Sequence, residues 1–176
     1  MTPLRALPLI ATLGISLPVA ALDGISLVGG DGEDARMAAI GLVWHWERRW
    51  FTEGDWFLGG YWEADLSYRR GDDPEPEDIY GIGVTPVLRL EHVPLRGLAP
   101  YLEAGVGAHL FSQTRLNADK QMGTAFEFGS LGGVGVRFGP DLGYELGYRF
   151  QHFSNAGISD NNGGVNFHQL RFQVSF

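Results

Sequence analysis

From residue 38 onward, apolar and polar residues alternate with a period of two, as in strands with one apolar face. Ala38, Ile40, Leu42, Trp44 and Trp46 share one face, against Ala39, Gly41, Val43 and His45 on the other. Leu58, Gly60, Trp62, Ala64, Leu66 and Tyr68 alternate in the same way with Gly59, Tyr61, Glu63, Asp65 and Ser67. The pattern predicts further strands over 80–90, 102–110, 126–138, 142–150 and 170–176, with a weaker one over 23–30.

One face of these strands is aliphatic and aromatic. The other mixes glycine with ionised groups of both signs: Glu63, Asp65, Arg89, Glu103, Arg137, Glu145, Arg149 and Arg171. A soluble sandwich or a lipocalin-like barrel would bury the apolar face and leave the charges wet. Here the opposite economy fits, with charges paired inside a narrow barrel and lipid outside. The fold class predicted is all-β, an eight-stranded antiparallel transmembrane barrel of the outer-membrane type. Inward glycines suit that size, because the interior of about eight strands is just wide enough for side chains to fill. On that topology the segments 30–36, 70–78, 113–124 and 155–164 are outer loops, and 47–55, 92–98 and 139–141 face the periplasm. The acidic run 72–78 is broken by Pro74 and Pro76 and reads as a solvated loop. Phe176 closes an alternating aromatic strand and resembles the C-terminal sorting signal of bacterial outer-membrane barrels.

Composition sharpens this picture. The chain has 176 residues, 26 of them glycine, and a mean hydropathy of −0.06, which excludes a disordered tail and a helical membrane protein. A formal charge of −8 supplies no basic stripe for nucleic acid. With no cysteine there are no disulfides, thiolate metal sites, cysteine nucleophiles or lipoprotein anchor. Residues 1–21 carry Arg5, an apolar core and small residues up to Ala21, in the order of a signal peptide; the single barrel domain is then 22–176.

One segment carries chemistry. His152 and Ser154 continue the lipid-facing series of Leu146, Tyr148 and Phe150, where an inert barrel would place hydrophobes. Residues i and i+2 of a strand share a face with Cα atoms about 6.5–7 Å apart, within reach of a nucleophile–base contact. Across the hairpin Asn166 can accept a hydrogen bond from the imidazole, without the full charge that stabilises an imidazolium. Asn155 can offer its side-chain amide, and the Ala156–Gly157 bend its backbone N–H groups, to an oxyanion. His45, His92, His109 and His168 lack metal-ligand spacing, and no metal is expected.

The mature chain resembles the lipid A 3-O-deacylase (PagL) family over nearly its whole length. The resemblance rests on Trp44-His45-Trp46, Gly60-Tyr61-Trp62-Glu63-Ala64, Tyr101-Leu102-Glu103-Ala104-Gly105-Val106-Gly107, and above all His152-Phe153-Ser154-Asn155-Ala156-Gly157 with the Asn-Asn-Gly-Gly-Val loop at 161–165. It implies an outer-membrane serine esterase that removes the ester-linked 3-hydroxyacyl chain at position 3 of lipid A, without a cofactor. Its substrate partner is lipopolysaccharide in the outer leaflet, and a homodimer is left open. The family's base falls on His152, its nucleophile on Ser154, and its oxyanion groups on Asn155 and the backbone of Gly157. The best-known members carry Glu as the orienting acid where this chain has Asn166, so the triad is Ser-His-Asn unless Asp160 reaches His152. A non-catalytic barrel for adhesion or membrane integrity is the rival class, and an acyltransferase or phospholipase barrel a second.

Overall fold

The computed structural model describes residues 21–32, 34–159 and 163–176. The expected leader lies outside them except for Ala21, as does Asp160. Eight strands follow in chain order: β1 Gly24–Gly32, β2 Ala35–His45, β3 Trp56–Gly71, β4 Asp78–His92, β5 Ala99–Phe111, β6 Phe126–Phe138, β7 Tyr144–Ser154 and β8 Val165–Ser175. Each is antiparallel to its neighbours, and β8 pairs back onto β1, so the barrel is closed. Closure leaves no sheet edge for hydrocarbon to leave unbonded.

The strand ends differ from expectation in two places. Residues 140–142 form a short 3-10 turn in which Asp141 and Leu142 have φ of 51° and 55°, which removes Leu142 from β7. β8 begins at Val165, five residues earlier than the alternation indicates, because Asn166 and His168 interrupt its apolar face.

The two faces sort as the pattern demands. Leu66, Tyr80, Ile82, Val106, Leu110 and Leu170 are exposed on the outer wall, whereas Glu63, Glu103, Glu145, Arg89, Arg149 and Arg171 are buried and Asp65 and Arg137 half-buried. Glu63 bridges Arg149 (2.8 Å) and Arg171 (3.1 Å); Glu103 bridges Arg149 (2.6 Å) and Arg89 (3.0 Å); Glu145 bridges Arg89 (2.9 Å) and Arg171 (3.4 Å). The six side chains thus form a closed ring in which acid and base alternate, drawn from β3, β4, β5, β7 and β8. Tyr61 ties into it, donating to Glu103 at 2.8 Å and accepting from Arg149 at 2.5 Å. β6 contributes no member, but a Cβ on its Gly133 would lie 3.0 Å from Arg149 Cγ and 3.3 Å from Glu103 Cγ.

The outer end of the lumen departs from the predicted mixture of glycine and charge. There Met37, Ile79, Phe111, Phe153, Val165 and Phe167 form an apolar cluster capped by Leu116 and Met122 of the β5–β6 loop. The guanidinium of Arg69 stacks over Phe111 (4.3 Å) and Phe153 (4.6 Å), so its charge is held by ring faces. The acidic run at 72–78 is also less free than expected: Arg115 pairs with Glu77 at 2.7 Å and Glu75 at 3.2 Å.

Replacing Arg149 by Met leaves Glu63 and Glu103 with one guanidinium each inside the barrel. The barrel should lose about 3–5 kcal/mol, the cost of stranding a buried charge, seen as a lowered urea midpoint in detergent micelles. An unchanged midpoint would show that the ring does not hold the lumen.

Candidate active site

The register of three strands assembles the site. His152 of β7 stands opposite Ser130 of β6 on one side and Asn166 of β8 on the other. Its strand neighbours Gln151 and Phe153 are buried in the lumen, so His152 and Ser154 point outward, as parity predicts. His152, Ser154 and Asn166 are all half-buried on the outer wall.

His152 Nδ1 lies 2.7 Å from Asn166 Oδ1. An amide oxygen only accepts, so Nδ1 carries the proton and Nε2 presents its lone pair, the tautomer a general base needs. Ser154 follows on the same face at the last residue of β7. No hydrogen bond joins its hydroxyl to His152 among the described residues; such contacts commonly tighten only when a substrate seats.

Beyond Ser154 the chain turns sharply. Ile158 N–H donates to the Asn155 carbonyl at 3.1 Å, with Ala156 and Gly157 between them at φ of 53° and 84°. Positive φ at both central positions is the geometry of a type I′ turn, and at Ala156 it costs about 1–2 kcal/mol. Asn155, expected as an oxyanion donor through its side-chain amide, lies at the start of this turn. It is fully buried, and its Oδ1 accepts the Gly157 N–H at 3.0 Å. Its side chain therefore shapes the bend, and the Gly157 N–H already has one acceptor.

Two further residues of the site escaped the sequence reasoning. Gly164, at φ +36°, packs so closely on the base that a Cβ there would lie 2.6 Å from His152 Cε1 and 3.2 Å from Nε2. The Gly-Gly pair signalled a loop, but nothing in one sequence tells which glycine abuts a ring. His168, which lacks metal-ligand spacing in the sequence, has a partner of another kind. It stands on the outer wall two residues below Asn166, with Nδ1 2.5 Å from Tyr148 Oη. Among the described residues no group of three or more His, Cys, Asp or Glu is placed to hold a metal.

The comparisons converge on one family. Residues 35–175 match the model of the family described as lipid A 3-O-deacylase (PagL). The lipid A deacylase PagL of Pseudomonas aeruginosa is 30% identical over 174 residues, covering 99% of this chain and 97% of the relative. That of Bordetella bronchiseptica is 37% identical over 116 residues, covering 66% of this chain and 58% of the relative. The crystal structure of the outer membrane enzyme PagL superposes with a TM-score of 0.75 at 27% identity, covering 87% of this chain and 99% of that one.

Alanine at position 164 should push the His152 ring away from Asn166. Hydrolysis of a p-nitrophenyl acyl ester by Gly164→Ala should then be roughly tenfold to a hundredfold slower, the scale of an ångström-sized misplacement. Wild-type rates in that variant would mean the ring tolerates the added methyl group.

Proposed function

The chain belongs to the lipid A 3-O-deacylase family, and from that premise we propose that Ser154, His152 and Asn166 carry the hydrolysis of the position-3 ester of lipid A. The protein is an outer-membrane barrel, and its activity is that of a lipid A deacylase. The observation that supports the assignment of residues is the 2.7 Å contact of His152 Nδ1 with Asn166 Oδ1 on the outward face, with Ser154 two residues on.

Lipid A diffuses in the outer leaflet and presents its ester to the wall of β7 and β8. Ser154 Oγ attacks the ester carbonyl while His152 Nε2 takes the hydroxyl proton. The Nδ1–H bond to Asn166 holds the imidazole in the right tautomer. The Asn155 side-chain NH2, with the Gly157 N–H re-aimed from Asn155 Oδ1, stabilises the oxyanion. Collapse breaks the bond to the sugar oxygen, which leaves with the proton from His152. Water, deprotonated by the same nitrogen, then cleaves the acyl-Ser154 ester and releases the hydroxy fatty acid. A nucleophile on the outer wall meets a substrate whose acyl chain never leaves the bilayer. No step uses a metal or cofactor. Residues 1–21 act as a cleaved leader that delivers the barrel to the membrane.

Expressed in a Gram-negative host, the wild type should strip one 3-hydroxyacyl unit from lipid A by mass spectrometry, and Ser154→Ala should strip none. Unchanged lipid A from a folded wild-type barrel would favour the non-catalytic class. Asn166→Glu, which adds a charge opposite the imidazolium, should raise the deacylation rate, and Asn166→Ala should lower it by about tenfold or more.

A further inference from the structure

Ser154 heads a track of small outward side chains that the mechanism leaves unused. Its row of register partners runs through Phe128 on β6, Ala108 on β5 and Val84 on β4, which lie two, three and six residues short of the outer ends of those strands. Rows across the sheet therefore descend from β7 towards β4. Strands of such barrels tilt by about 35–45°, so a line dropped from Ser154 along the membrane normal crosses β6 and then β5. At about 3.4 Å per residue along a strand and about 4.8 Å between strands, it meets Ser130 on β6 and then Ala104 on β5, with Gly132 beside them.

All three residues are exposed on the outer wall, and a Cβ on Gly132 would meet nothing within 4 Å. Glycine weakens a strand, and no neighbour demands it here, so what it supplies is room. Phe150, across from Gly132 on β7, and Val106, across from Ser130 on β5, rise on either side. Val134 and Leu102, the next outward residues on β6 and β5, close the lower end. The Ser130 hydroxyl donates to the His152 carbonyl at 3.5 Å, so its polar group is engaged by the wall. The other flank of β7 differs. There His168 stands across from Phe150 and the exposed Asp31 across from His168, two polar groups that an acyl chain would have to pass.

We propose that the track of Ser130, Gly132 and Ala104 seats the acyl chain whose ester Ser154 attacks, and that its length sets which chains are cleaved best. This rests on the catalytic reading above. Ala104 is four residues and two strands from Ser154 in the register, about 16 Å away. An extended chain of bonds about 1.5 Å long advances about 1.3 Å per carbon, so a chain of about ten to twelve carbons fills the track to its closed end. Shorter chains leave its lower part empty and forgo the dispersion contacts there. The three residues bind and measure, and they move no proton in the reaction.

The test uses the full-length mature barrel in detergent with p-nitrophenyl dodecanoate and p-nitrophenyl butyrate. The wild type should favour the dodecanoate by about tenfold in kcat/KM, with the difference residing in KM. Gly132→Leu and, separately, Ala104→Leu should lower the ratio of dodecanoate to butyrate by about tenfold, the scale of an apolar pocket altered by a methylene or more. Gly132→Ala should lower it part of the way. Gly29→Leu fills another outward position where a Cβ meets nothing within 4 Å, on β1, and should keep the wild-type rates on both esters. Equal efficiency on both esters in the wild type, a ratio unchanged in Gly132→Leu and Ala104→Leu, or one lowered as far by Gly29→Leu would overturn the proposal while leaving the catalytic assignment standing. Hydrolysis of both esters by Ser154→Ala would overturn the catalytic assignment and this inference together.

Discussion

Inside a barrel too narrow to hold bulk water, Glu63 and Glu103 each meet two guanidiniums and Glu145 meets three, Arg137 being the third. Arg89, Arg149 and Arg171 are each shared in turn between two acids, so the ring closes with no net charge. One-residue slippage between β7 and β8 would swing Arg149, Glu145 or Arg171 onto the lipid side and strand its partners. The ring therefore pins the register that sets His152 opposite Asn166. Arg149 lies three residues before His152 on the same strand, so the interaction that closes the lumen also locates His152.

Putting polarity inside makes the outside informative. On a wall facing hydrocarbon each polar side chain has a desolvation cost to offset, and β7 and β8 concentrate His152, Ser154, Asn166 and His168 there. The first three are held by strand geometry, which fixes directions better than a loop can. The bend that follows depends on a buried side chain: Asn155 accepts the Gly157 N–H and steadies a turn in which Ala156 is strained. Gly164 returns from the loop to press on the same imidazole. The base is thus fixed from β8 through Asn166 and from the loop through Gly164.

Much of this was legible in the residue order because a barrel uses the simplest of all periods. Parity alone placed His152, Ser154 and Asn166 on one outward face, and it foretold that Glu63, Glu103, Arg149 and Arg171 would turn inward. It did not reveal which acid meets which arginine, since that depends on the shear of the closed sheet and not on alternation. The apolar cap at the outer end was hidden for a related reason. Met37, Phe111, Phe153 and Phe167 fall on the inward face, and what makes them a core is Leu116 and Met122 arriving from a loop. The burial of Asn155 and its bond to the Gly157 N–H were not legible, because they depend on how the turn after β7 folds back. His168 gives no signal in the sequence, because its partner is a tyrosine on the adjacent strand.

The amide at position 166 is best understood from the medium it faces. A carboxylate there would stand half-buried on the lipid-facing wall, without the guanidiniums that surround Glu63, Glu103 and Glu145, so its desolvation would oppose folding. Asn166 avoids that cost and still sets the tautomer, because its Oδ1 only accepts. What it forgoes, on the proposed mechanism, is the charge that would stabilise an imidazolium at His152. On the mechanism proposed above, that stabilisation comes from the donors at Asn155 and Gly157, because the oxyanion forms together with the imidazolium. Neutral orientation of the base combined with dipolar stabilisation of the anion is a consistent division for a site that works at the edge of hydrocarbon, where a fixed ionised group is costly to maintain and a fixed dipole is not.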